Sequence, residues 1–124
     1  MVDCRFRKEE KLTNRKIIAS LFEVGHKHQV FPIQLRFLPQ PLGSVVFHKV
    51  LITIPIKGFK RSVDRNLLKR RIREAYRLNK FIIASTHKYY LAYIYVAKEI
   101  LPSIKIHEAV RVLMERLKNH ENKT

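Results

Sequence analysis

The residues with the plainest chemistry in this chain are basic. Between Lys57 and Lys80 stand ten lysines and arginines against two acids, Asp64 and Glu74, which is half of the whole chain's net charge of +16. A guanidinium forks onto phosphate oxygens with two parallel hydrogen bonds, so an arginine-rich run points to a phosphate partner more than to a diffuse charged surface. A merely solvated helix face usually interleaves both signs. An anionic membrane is the other candidate, but an interfacial helix needs a free apolar face with bulky anchors, and here the apolar side reads as core.

Groups that could cut a bond are sparse. A two-metal nuclease needs clustered carboxylates, yet Asp3 and Asp64 are the only aspartates and the glutamates are scattered among basic residues. His26 and His28 form an HxH in what reads as a loop, without a nearby acidic or Cys partner; a contact to phosphate suits them better than a zinc site. Cys4 is the only cysteine, so there is neither a disulfide framework nor a CxxC metal motif. It has no activating base beside it, and Ser62 and Ser103 read as helix-start residues rather than nucleophiles. No catalytic constellation emerges.

These residues must be held by a fold. A chain of 124 residues that is 46% hydrophobic makes one domain with a real core. We expect residues 1–124 to form that domain, with 1–10 a mobile tail and 120–124 a frayed end. The start of the sequence lacks the apolar stretch of a signal peptide. No apolar run approaches the ~20 residues of a membrane helix. With one free thiol, these features lead us to expect a cytoplasmic protein and no membrane partner.

The first element is LTNRKIIASLFEVG. Thr13 is placed to cap a helix, Leu12 and Ile17 to staple it, and Gly25 to close it in a left-handed conformation. In VFPIQLRFLP, Ile33, Leu35 and Phe37 alternate against Gln34 and Arg36, the pattern of a half-buried strand. After the turn PQPLGS, the β-branched run SVVFHKVLITIPI supplies one or two strands. The basic segment is the second helix, FIIASTHKYY is its tail or a loop, and LAYIYVAK is a strand. Pro102–Ser103 then starts a last helix with Ile106, Val110, Leu113 and Leu117 as its apolar stripe. Helices on a small mixed sheet follow, an α/β chain of the α+β sandwich kind.

On the basic helix, advancing 100° per residue from Val63 puts Arg65, Asn66, Lys69, Arg70, Arg73, Tyr76, Arg77 and Lys80 between about 200° and 340°. Val63, Leu67, Leu68, Ile72, Ala75 and Leu78 occupy the other half. The expectation is an acid-free polar face and an apolar face, with Asp64, Arg71 and Glu74 as intruders on the latter.

The run KRSVDRNLLKRRIREAYR resembles the signature of the bacterial ribonuclease P protein subunit, which reads roughly V-x-R-N-R-h-K-R-h-h-R-E with h hydrophobic. Val63, Arg65, Asn66, Lys69, Arg70, Arg73 and Glu74 match it. KLTNRKIIASLFEVGHK resembles the family's first helix, R-L-x-x-x-x-x-F-x-x-x-F-x-x-G, with Leu12, Phe22 and Gly25 in place and Ile18 where a Phe is frequent. Leu67 and Arg71 depart from the pattern, as if exchanged. Being i and i+4 on one stripe, they suggest that Arg71 reaches back over Leu67 to supply the missing guanidinium.

The resemblance implies an αβββαβα order of the ribosomal protein S5 domain 2-like fold, with a left-handed βαβ crossover that general rules would not have predicted. It implies an endoribonuclease whose catalyst is a large RNA. That RNA removes the 5′ leader of precursor tRNA with Mg²⁺ held mainly by the RNA and none by the protein alone. The implied partners are the catalytic RNA and precursor tRNA, with no obligate protein partner evident. The implied RNA-binding residues are Lys57, Lys60, Arg61, Arg65, Asn66, Lys69, Arg70, Arg71, Arg73 and Arg77. A cleft between the first helix and the sheet, with Ile18, Phe22 and Arg36, is implied for the leader; a core position is the alternative for Phe22, which stands on the apolar stripe of its helix. A structural RNA-binding protein of ribosomal type, with no part in cleavage, is the alternative.

Overall fold

The computed structural model describes residues 10–41, 48–83 and 88–122. Three helices, α1 (Arg15–Val24), α2 (Ser62–Asn79) and α3 (Ser103–Asn122), pack on a four-stranded sheet. Its strands are β1 (His26–Val30), β2 (Ile33–Pro39), β3 (Lys49–Thr53) and β4 (Tyr89–Tyr95), in the spatial order β1-β2-β4-β3. β1, β2 and β4 pair antiparallel, whereas β3 lies parallel to β4 and reaches it through α2. The αβββαβα order expected for the family is present, but its strands are not all where the sequence suggested. The HxH segment is β1, not a loop, paired to β2 across Phe31–Pro32, whose peptide is cis. In SVVFHKVLITIPI the described part forms one strand, and residues 42–47 lie outside the described residues.

The alternation of β2 and β4 sorts the sheet into two faces. Ile33, Leu35 and Phe37 join Leu91, Tyr93 and Tyr95 in the main core beneath α2 and α3, where Ile106, Val110, Leu113 and Leu117 are buried as the last helix's stripe requires. α1 lies on the opposite face. Its Leu21 is fully buried against Ala92, with Ile17, Ile18, Leu38, Leu51 and Tyr90 around it. Burial of such a leucine is worth about 1.5–3 kcal/mol, so one side chain does much to seat this short helix.

Two local expectations for α1 are corrected. Asn14, not Thr13, is the N-cap: its carboxamide oxygen accepts from the N–H groups of Lys16 (3.0 Å) and Ile17 (3.2 Å). Gly25 is extended rather than left-handed, with φ −66°. Glycine is required there for closeness instead, since a Cβ would stand 2.3 Å from the Leu21 carbonyl oxygen.

Residues 1–9, including Cys4, lie outside the described residues. Glu10 is not part of a mobile tail. It is 2% exposed and forms an ion pair with Lys80 at 2.7 Å, at the end of α2. Lys11 then bridges to Val50, and Leu12 N–H donates to the Val50 carbonyl at 2.8 Å. The segment therefore straps the free edge of β3 before α1 begins, a common way to blunt an edge strand. Toward the other terminus the helix runs through Asn122, and the His120 ring packs on Phe37 with centroids 5.2 Å apart; residues 123–124 lie outside the described residues.

Candidate nucleic-acid interface

The helix wheel of α2 is turned from the expected one. Leu68, Ile72, Ala75 and Tyr76 are buried, while Val63 is 65% and Leu78 41% exposed. Tyr76, assigned to the polar face by its angle on the wheel, instead packs on Tyr93 with ring centroids 6.0 Å apart. An aromatic ring has far more apolar surface to bury than its one hydroxyl costs. The core stripe thus centres near Leu68 and Ile72, and the side facing solvent centres on Arg70.

On that side Asn66, Arg70 and Arg73 are exposed at i, i+4 and i+7. Lys69 flanks them, half-buried, and Lys57, Lys60 and Arg61 are exposed in the loop that leads in. The face is not acid-free as expected. Glu74, one turn from Arg70, lies within it, paired with Arg77 through two hydrogen bonds, one of them 3.1 Å from Nε. The Arg77 guanidinium holds the Glu74 carboxyl below its usual range.

Two arginines assigned to RNA hold the protein's own backbone. Arg65 donates to the carbonyls of Phe59 (2.7 Å) and Lys60 (2.8 Å), which fixes the loop entering α2. Arg71 does not reach back over Leu67. Its guanidinium donates to the Leu101 carbonyl at 2.8 Å, just before α3, because its position on the helix points at α3 rather than at solvent.

The α1 side of the sheet carries the second part of the candidate interface. Phe22 is 39% exposed, so it is not core, and the Arg36 guanidinium lies 5.4 Å from its ring centroid. Arg36 also donates to the Phe22 carbonyl (2.7 Å) and to the Gln34 carboxamide oxygen (3.1 Å). Gln34 in turn donates to Gln29 (3.0 Å). Ile18, half-buried, belongs to the small cluster under α1. Sequence reasoning missed the rest of this surface. Strand pairing puts Gln29, Gln34, Ile94 and Thr53 in one row across four strands. Gln34 was legible as the polar phase of β2, but the row needs β1, whose pairing no local pattern announced. The result is a platform with an apolar ring, a guanidinium and carboxamides, groups that can stack on bases and bond to them without demanding one sequence.

His26 and His28 sit on the other side of the sheet from this platform. Their rings pack on Phe37 and on His120 of α3. Burial, together with the neighbouring His120, Arg116 and His26, lowers the pKa of His28. Among the described residues no three His, Cys, Asp or Glu side chains are grouped so as to hold a metal ion. Also among them, no helix is long and apolar enough to cross a membrane.

A basic helix and an aromatic platform, carried by one α+β sandwich, define a small protein of mixed fold with a cationic face. The chain belongs to the ribonuclease P protein family, whose model matches residues 6–120. It is 36% identical over 76 residues to the ribonuclease P protein component of Porphyromonas gingivalis strain W83, and 34% identical to that of a second strain. Those matches cover 61% of this chain and 56% of the relatives, so the shared segment spans little more than half of their length. Among solved structures, the ribonuclease P protein of Thermotoga maritima superposes with a TM-score of 0.71 at 24% identity, over 86% of this chain and 96% of that one. A Staphylococcus aureus ribonuclease P protein mutant does so with 0.73 at 17% identity, over 90% of each. At such identities these two likenesses speak for the fold.

Proposed function

We propose that this chain is the protein partner of a catalytic ribonuclease P RNA and assists removal of the 5′ leader from precursor tRNA. The observation that carries this reading is the arrangement of two unlike surfaces on one small domain. The stripe Asn66, Arg70 and Arg73 with the loop cations suits a structured RNA's phosphates. The Phe22–Arg36 platform suits an unpaired strand. A protein joining the two would hold the leader while docked on the RNA that cuts.

The protein's part is binding and positioning. Mg²⁺ belongs to the RNA in this reading and would supply the Lewis-acid chemistry there. Arg65 and Arg71 support the interface by fixing backbone, while Asn66, Lys69, Arg70 and Arg73 with Lys57, Lys60 and Arg61 meet the RNA. Affinity for the catalytic RNA should fall steeply with salt, with a log–log slope of roughly −4 to −8 for about 6–8 phosphates.

The test is reconstitution. Added to its cognate catalytic RNA and precursor tRNA at low Mg²⁺, the protein should raise the cleavage rate. No stimulation at any protein concentration would overturn the proposal and favour an RNA-binding protein without a role in cleavage.

A further inference from the structure

Beside the edge of β3, between the strap that precedes α1 and the flank of α2, lies a pocket of about 200 Å³. Lys11 and Thr13 come to it from the strap, Lys69 and Arg73 from α2, and Val50 and Leu51 from the strand. Two separate segments thus bring three cations and a hydroxyl to one concavity, and the strand supplies its apolar wall. Among the described residues no carboxylate lines it, and Glu10 of the strap is engaged with Lys80.

The strap is not free to carry Lys11 away. Leu12 is 5% exposed and bonded to Val50, and Glu10 is buried against the end of α2. Lys11 therefore projects from backbone anchored on both sides, so little ordering is required when an anion arrives. The pocket also lies at the start of α1, on the α2 side, where the basic face and the α1 side of the sheet adjoin.

We propose that this pocket seats one phosphate of an RNA strand, with the attached sugar or base against Val50 and Leu51, and that Lys11 is a binding residue for it. The inference rests on the function proposed above and adds to it a contact from outside α2. Both the leader and an unpaired stretch of the catalytic RNA offer this chemistry.

The experiment measures binding of the full chain against salt, once to a fluorescent single-stranded leader RNA and once to the catalytic RNA. Wild type, Lys11→Gln, Lys11→Arg and Lys118→Gln are compared, the last altering an exposed lysine on α3. Lys11→Gln should weaken binding about 3- to 10-fold at low salt and lower the slope by about 0.7–0.9, as loss of one phosphate contact requires. Lys11→Arg should restore both. A loss confined to the leader assigns the phosphate to the leader; a loss confined to the catalytic RNA assigns it there. Unchanged slopes for Lys11→Gln on both RNAs overturn the inference, as does an equal loss in Lys118→Gln, which would mark a diffuse charge effect. If the wild-type protein binds neither RNA, the proposed function falls with it.

Discussion

Arg71 and Leu101 are joined by a 2.8 Å hydrogen bond from guanidinium to carbonyl, and the Leu101 N–H donates to the Tyr95 hydroxyl at 3.0 Å. Tyr95 in turn donates to the Glu99 carbonyl at 2.6 Å. The connection from β4 to α3 is thus held from α2 and from the sheet. Arg71→Ala should lower unfolding stability by about 1–3 kcal/mol, the usual loss for a hydrogen bond made by a charged group. It should leave the salt slope of RNA binding unchanged. Denaturant titration and binding isotherms on one preparation check both halves.

Arg70 should behave in the opposite way. It is exposed at the centre of the presented face of α2. Arg70→Ala should change folding stability by less than about 0.5 kcal/mol and lower the salt slope for the catalytic RNA by about 0.9. A variant that loses stability but keeps the slope would mean that the helix presents another face.

Phe22 tests the platform. Its ring is 39% exposed, so removing it creates no buried cavity. Phe22→Ala should melt within a few degrees of wild type and bind a single-stranded leader more weakly by about 1–3 kcal/mol, the worth of one stacked base. Equal affinity of the two proteins for the leader would remove Phe22 from the interface.

His48 makes the fold acid-sensitive. It is 6% exposed, its Nδ1 accepts from the Tyr89 N–H at 3.0 Å, and Nε2 lies 3.1 Å from the Ile83 carbonyl, so the neutral ring with its proton on Nε2 satisfies both partners. Burial, with Lys88 and Lys80 nearby, lowers its pKa to about 4. Below pH 6.5 the unfolded chain takes up a proton that the folded chain refuses until about pH 4, so stability is lost across that window, by roughly 3 kcal/mol at most. The stability gap between wild type and His48→Gln should therefore narrow as pH falls from 7 to 4.5 in urea titrations. A gap that stays constant would show that this imidazole does not stay neutral.

Gly25→Ala should destabilise by about 1–3 kcal/mol, a typical price of forcing backbone apart. The cause is the Leu21 carbonyl, which stands 2.3 Å from where the new Cβ would sit. Crowding and not handedness is at stake, so Gly25→Asn, favoured at left-handed positions, should fare no better than alanine. Differential scanning calorimetry of the two variants decides between the causes.

The sequence by itself determined the order of helices around strands, the apolar stripe of α3, the buried phase of β2 and the concentration of positive charge in α2. Each is a periodic pattern that a short segment expresses without help from distant residues. It also carried the family signature, because that signature lies within one helix. What only the tertiary structure decided is where each element turns and what it meets. β1 has no apolar alternation and exists because β2 offers it a partner. Tyr76 rotates α2 inward because Tyr93 of a distant strand receives its ring. The resemblance implied Arg65 and Arg71 as RNA-binding residues, and in the fold they hold carbonyls of loops that the tertiary structure delivers to them. Charge is a property of the residue; whether a guanidinium faces RNA or its own backbone is set by long-range packing.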